Sequence, residues 1–264
     1  MFNELFWATH TIELGKTLEL QLGSLRVWIH RGGRDWHIAH QTEVAEESRC
    51  TVALSDRPFD PGHDWKRWIL DDQIDRVRLR PQLPGRSIIV RPEMPMCLMP
   101  KQSARFYVGI PIWLAVTFGV KDERVVDIPS MPLSNSWFGP FTEGEGELCY
   151  AIKTTAKVRR EDLLPSAQRA IFPLEIRNMS QEVLQFERLC LRPQYLNIFQ
   201  GETRLWTSPG RVSYRGADNW SRIVYSAKPP EYDNAGPLLG KARQPMQHGK
   251  MLKTFDNLRQ RVEL

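Results

Sequence analysis

The chain lacks the linear signatures of the common enzyme classes. It has no Gly-x-Ser-x-Gly, no His-Glu-x-x-His and no Gly-x-Gly-x-x-Gly. Those absences remove the nucleophile elbow, the helix-borne zinc peptidase site and the dinucleotide-binding turn. Gly236-Pro-Leu-Leu-Gly-Lys-Ala242 imitates a phosphate loop but puts three residues between its glycines, where four are required, and alanine in place of the Mg²⁺-binding hydroxyl. Cysteine is scarce: positions 50, 97, 149 and 190 form no CxxC pair, zinc knuckle or dense disulfide framework. Cys149 and Cys190 sit in strand-like runs and read as buried thiols. No apolar run approaches the roughly 18 residues that a membrane-spanning helix needs. The best stretch, Val108 to Val120, contains Pro111 and stops at Lys121. Met1 to His10 carries Glu4 and no basic residue, so no secretory start is visible and the expected location is the cytoplasm. On that basis the sequons at Asn178 and Asn219 carry no weight.

What is present is enough to fold. With 264 residues, 41% apolar content and nine tryptophans, the chain can bury a sizeable core, and disorder is not expected for most of it. Strand patterns dominate. Thr17-Leu-Glu-Leu-Gln-Leu22 and Leu25-Arg-Val-Trp-Ile-His30 alternate with the period of a half-buried strand. Gly32-Gly33 then predicts a two-residue hairpin turn into Trp36-His-Ile-Ala-His40. Trp65, Trp68, Ile69 and Asp72 fall at near-helical spacing and suggest a short helix. Pro92, Pro95 and Pro100 mark a connector. Met251, Leu252, Phe255, Leu258 and Val262 lie on one helical face, which predicts a helix over about 247–262. The expected fold is therefore mainly β, two packed sandwich-like β layers or domains with a C-terminal amphipathic helix. The expected division is an N-terminal β domain with a basic hairpin (1–95), a C-terminal β-sandwich (96–246) and the helix (247–264).

Three constellations could carry chemistry. In the expected hairpin register Trp28, His30, Asp35 and His37 share one face and Ile29, Trp36, Val27 and Ile38 the other. Two imidazoles and a carboxylate there, His30, Asp35 and His37, could hold a divalent metal or form an acid/base pair. An outward hairpin face is polar in any case, which is the blander explanation. The second is charge. The net +5 equals the five arginines between Arg76 and Arg91, a segment with no acidic residue. In Arg76-Val-Arg-Leu-Arg80 a strand would put Arg76, Arg78 and Arg80 on one ridge, suited to phosphate oxygens or an acidic surface. Nothing aromatic is interleaved for base stacking, so nucleic acid is not the expected ligand. Asp71, Asp72 and Asp75 just upstream could neutralise that ridge. The third is Trp137, followed by Gly139-Pro140, a candidate aromatic lip for binding.

Several segments together carry a resemblance: Leu14-Gly-Lys-Thr-Leu-Glu-Leu-Gln-Leu-Gly-Ser-Leu-Arg-Val-Trp28, Leu133-Ser-Asn-Ser-Trp-Phe-Gly-Pro140, Gly146-Glu-Leu-Cys-Tyr150, Phe172-Pro-Leu-Glu-Ile-Arg-Asn-Met-Ser180 and Arg188-Leu-Cys-Leu-Arg-Pro193. They make the chain similar, over nearly its whole length, to the prokaryotic family called domain of unknown function 432. That resemblance brings no catalytic residues and no cofactor, and it implies an accessory role at the cytosolic side of a membrane channel. The expectation for function is a non-catalytic binding or accessory protein acting through protein contacts. The alternatives are a metal-dependent enzyme at His30, Asp35 and His37, and anionic-ligand binding (nucleic acid or lipid headgroup) through the Arg76–Arg91 segment.

Overall fold

The structure is a computed structural model that describes residues 5–46, 48–56, 62–71, 73–119, 123–139, 146–164, 166–216, 220–245 and 251–256, with backbone alone at 153–155, 220, 251–253 and 256. It is mainly β. The first strands are β1 (Thr9–Thr11), β2 (Thr17–Leu22), β3 (Leu25–Arg31), β4 (Asp35–Thr42), β5 (Cys50–Ser55), β6 (Lys66–Ile69) and β7 (Arg76–Gln82). Next come β8 (Ile88–Pro92), β9 (Met96–Leu98), β10 (Ser103–Pro111), β11 (Trp113–Phe118), β12 (Glu123–Pro129), β13 (Ser134–Phe138) and β14 (Glu147–Ala156). Then follow β15 (Arg169–Asn178), β16 (Leu184–Phe186), β17 (Arg188–Leu191), β18 (Ile198–Gln200) and β19 (Leu205–Thr207). The chain closes with β20 (Gly210–Tyr214), β21 (Trp220–Tyr225), β22 (Leu238–Gly240), β23 (Met251–Lys253) and β24 (Phe255–Asp256). Among the described residues, no helix is long and apolar enough to cross a membrane.

The strands form two compact units, and neither is a continuous stretch of chain. One comprises Met1–Gln82, Ile112–Pro132 and Pro165–Gln168; the other comprises Leu83–Pro111, Leu133–Leu164 and Arg169–Leu264. The expected boundary at 95/96 thus lies inside the second unit.

The first unit holds a five-stranded sheet, β5-β2-β3-β4-β6, and a four-stranded sheet, β1-β7-β11-β12. Alternation drives their packing, because the apolar set of each strand must leave water together. Val77 and Leu79 of β7 are 0% and 1% exposed, while Arg76, Arg78 and Arg80 point the other way. Trp36 of β4 meets Phe118 of β11 edge to face, ring centroids 4.7 Å apart, which joins the two sheets. Gln168, buried at one end, donates from Nε2 to Ser24 Oγ at 3.0 Å and to the Ser130 carbonyl. Those bonds explain why the short segment 165–168 belongs to this unit.

The second unit contains an eight-stranded sheet, a five-stranded sheet (β13-β14-β8-β17-β24) and the β9–β16 pair. Its longest ladder is β10 with β15, antiparallel from Ser103↔Arg177 to Pro111↔Arg169. Phe186 packs on Phe255 at 5.0 Å and on Phe106 at 6.4 Å, and Tyr214 meets Phe255 at 5.9 Å, so aromatic rings join these sheets.

Several sequence expectations are corrected here. The C-terminal helix is absent from its described part. Met251–Lys253 instead pairs with β21, and Phe255–Asp256 pairs with β17. Open sheet edges supply partners for those backbone groups, and Phe255, 3% exposed, serves the core as a strand residue. The remaining residues of that helix lie outside the described ones. The short helix near Trp65 is also a strand, since Lys66–Ile69 caps the edge of β4. Finally, β7 and β8 do not form a basic hairpin. β7 pairs with β1 and β11, β8 with β14 and β17, in different sheets.

Trp36→Ala is expected to destabilise the fold by about 3–5 kcal/mol, the usual cost of deleting a large buried ring. Urea unfolding should show a lower midpoint with an unchanged slope.

Candidate functional site

The outer face of β3 and β4 is built by their register. Gly32 N–H donates to the Asp35 carbonyl at 2.8 Å, and His30 pairs with His37 and Trp28 with Ala39. The turn is therefore centred on Gly33-Arg34, one residue later than Gly32-Gly33 predicts. The partner of each residue moves by two, so every side chain keeps its expected face. His30, Asp35 and His37 do share that face. Their rings and carboxylate stand apart: the His30 and His37 ring centroids are 6.0 Å from one another, and Asp35 Oδ2 lies 3.7 Å from His37 Nε2. The same Asp35 oxygen accepts from Arg67 Nε at 2.7 Å.

The segment preceding β6 adds two rings that sequence reasoning did not place here. His63 packs on Trp28 at 4.1 Å and on Trp65 at 5.8 Å, and Trp65 meets His37 edge to face at 6.4 Å. Arg26 lies 5.1 Å over the Trp28 ring, between Glu19 at 3.5 Å and Glu43 at 3.7 Å. Trp28 is buried beneath this array, whereas His63, Trp65, His37 and His30 are half-buried and Arg67 is exposed. His30 is hydrogen-bonded to Thr17 through Nδ1 and Oγ1 at 2.9 Å. Burial pushes the His30 imidazole below its ordinary value, and nearby His37 adds to this while Asp35 opposes it.

Arg76, Arg78 and Arg80 form the expected ridge on one face of β7, but their charge is partly committed. Arg76 Nε lies 3.6 Å from Asp75 Oδ1, and Arg78 Nε donates to Thr9 Oγ1 at 2.7 Å. Arg80 pairs across β11 with Ala115, whose other neighbour is Asp127. Asp72 lies outside the described residues. Trp137, the candidate aromatic lip, is a strand residue. It sits in β13 opposite Leu148, half-buried, with its indole over Gly146, where a Cβ would collide.

The most concentrated chemistry lies in the five-stranded sheet of the second unit. There β8 runs between β14 and β17, which brings Cys149 and Cys190 to one face. Their sulfurs are 3.9 Å apart, and both side chains are fully buried beside Ile89 and Phe138. Cys190 donates to Glu147 Oε1 at 3.1 Å, Arg192 donates to the same oxygen, and Ser87 Oγ donates to Oε2 at 2.8 Å. Among the described residues, this is where three potential metal-ligand atoms lie within 4.8 Å of one another; His30, Asp35 and His37 do not meet that condition. Burial, then the neighbouring Cys149, push the Cys190 thiol well up.

The family described as "Protein of unknown function (DUF432)" matches residues 6–259, nearly the whole chain. The chain belongs to the DUF432 family. No curated protein and no solved structure matches it.

For this DUF432 chain, the sequence signal for the outer hairpin face was period-two alternation, which carries no information about His63 and Trp65. The thiol cluster left no linear trace either, since its members come from segments near 87, 147–149 and 190–192. A groove of about 450 Å³ in the second unit, lined by Arg105, Glu175, Arg211 and Tyr232, is a weaker candidate. Three of its charges are engaged: Glu175 takes Arg177 and Arg211, and Arg105 donates to the Tyr232 hydroxyl at 2.8 Å.

The depressed His30 ionisation predicts a pH dependence. The unfolded chain binds a proton near pH 6.5 and the folded chain only at lower pH, so stability is full above about 6.5 and falls as pH drops through that window. Urea midpoints at neutral and mildly acid pH should differ less in His30→Gln than in the unaltered chain.

Proposed function

We propose that this protein is a non-catalytic binding or accessory protein that works through protein contacts, with the imidazole–indole face of β3 and β4 as its contact surface. The observation that carries this reading is the ring array Trp28–His63–Trp65–His37, with Arg26 stacked on Trp28. Trp and Arg are the residues that dominate binding energy at protein interfaces, because rigid rings bury large area at small entropic cost. Here a buried Trp28 supports half-buried His63 and Trp65, so the outer rings are held in place before a partner arrives. Asp35 is engaged by Arg67, which favours a structural role over that of an acid/base partner for His37. In this reading the protein acts in the cytoplasm, and the cytosolic side of a membrane channel is a partner of the required kind.

A photo-crosslinking residue at position 65 should capture a defined partner protein from native cytosol or detergent-solubilised membranes, while the same residue at exposed Met94 should not. Trp65→Ala should weaken the complex by about 2 kcal/mol, roughly thirtyfold in Kd. A partner-free monomer on gel filtration, with no position-specific cross-link, would overturn the reading.

A further inference from the structure

We propose that Cys149, Cys190 and Glu147 form a binding site for a soft divalent metal ion of the Zn²⁺ class, a property independent of the contact surface on β3 and β4. The spacing of the thiols is the first argument. Two sulfurs about 2.3 Å from one tetrahedral zinc stand about 3.8 Å apart. Those of Cys149 and Cys190 stand 3.9 Å apart. The third donor, Glu147 Oε1, is already 3.1 Å from the Cys190 sulfur, and all three donor atoms lie within 4.8 Å of one another.

The sheet topology supplies the second argument. β14 and β17 flank β8, so Cys149 and Cys190 are delivered from its two sides and meet beside Ile89 as free thiols.

Charge balance is the third. The buried group holds two neutral thiols, one carboxylate and the Arg192 guanidinium, and its net charge is zero. When a divalent ion binds, two S–H bonds break, two sulfur–metal bonds form and two protons leave to solvent. Net charge is unchanged, so the site takes the ion without adding buried charge. Arg192 and Ser87 hold the Glu147 carboxylate in place, the supporting role that orients ligands in metal sites. Glu147 is also the one half-buried ligand, its side chain 35% accessible, which gives the ion a route in. Three protein ligands leave a fourth position for water.

The test uses the full chain with Cys50→Ser and Cys97→Ser, which removes the two cysteines outside the site, one half-buried and one exposed. Titration with Co²⁺ should produce intense thiolate-to-cobalt charge-transfer absorption that saturates at one ion per chain and is displaced by Zn²⁺. Further replacement of Cys149 and Cys190 by Ser should abolish that absorption. Arg192→Met should leave the spectrum's form intact and weaken affinity about 10–100-fold, as loss of a ligand-orienting group does. No charge-transfer absorption from the chain that keeps Cys149 and Cys190, or undiminished absorption from the chain that lacks them, overturns the proposal.

Discussion

Backbone groups in the interior of a sheet must be hydrogen-bonded on both sides, and in this chain the partners that satisfy them come from far away in sequence. β7 is closed by β1 on one side and β11 on the other. β8 is closed by β14 in parallel and β17 in antiparallel register. The β10–β15 ladder joins residues 103–111 to 169–178. Both compact units depend on this remote pairing, which is why each is assembled from several segments rather than from one end of the chain. Long-range pairing also puts chemically active residues beside each other with no local motif to announce them.

The two sites follow from the same constraint in different ways. On β3 and β4 the hairpin is local, but its ring array is completed by His63 and Trp65, delivered by the segment that leads into β6. Rings stacked edge to face on a sheet surface make a rigid platform, and the carboxylate that could have activated a histidine is committed to Arg67. In the second unit β8 lies between the strands that carry the two thiols, and their sulfurs meet at 3.9 Å. Ile89 and Phe138 pack beside the two thiols, and Arg192 neutralises the carboxylate.

Much of the fold was legible. Period-two alternation located β2, β3 and β4, and the same alternation put Arg76, Arg78 and Arg80 on a ridge opposite buried Val77 and Leu79. The hairpin face was read with the right members even though the turn shifted, because a displacement of two residues leaves sidedness unchanged. The failures are equally physical. Met251, Leu252 and Phe255 fit one face of a helix, yet two open sheet edges offered their backbone stronger partners. Arg76–Arg80 and Arg86–Val90 looked like a hairpin because proline and glycine lie between them, but each strand found its neighbours elsewhere.

The sequence by itself determined the class, since alternation, turn residues and a rich supply of tryptophan can be buried economically only in a mainly β protein. It also determined membership of a family, which matches over residues 6–259. Only the tertiary structure decided which strands are neighbours, and so which side chains meet. Side-chain alternation records the face on which a residue lies but holds no record of the strand beside it. That is why Cys190 meets Glu147 and Cys149 without any spacing in the chain that foretells it.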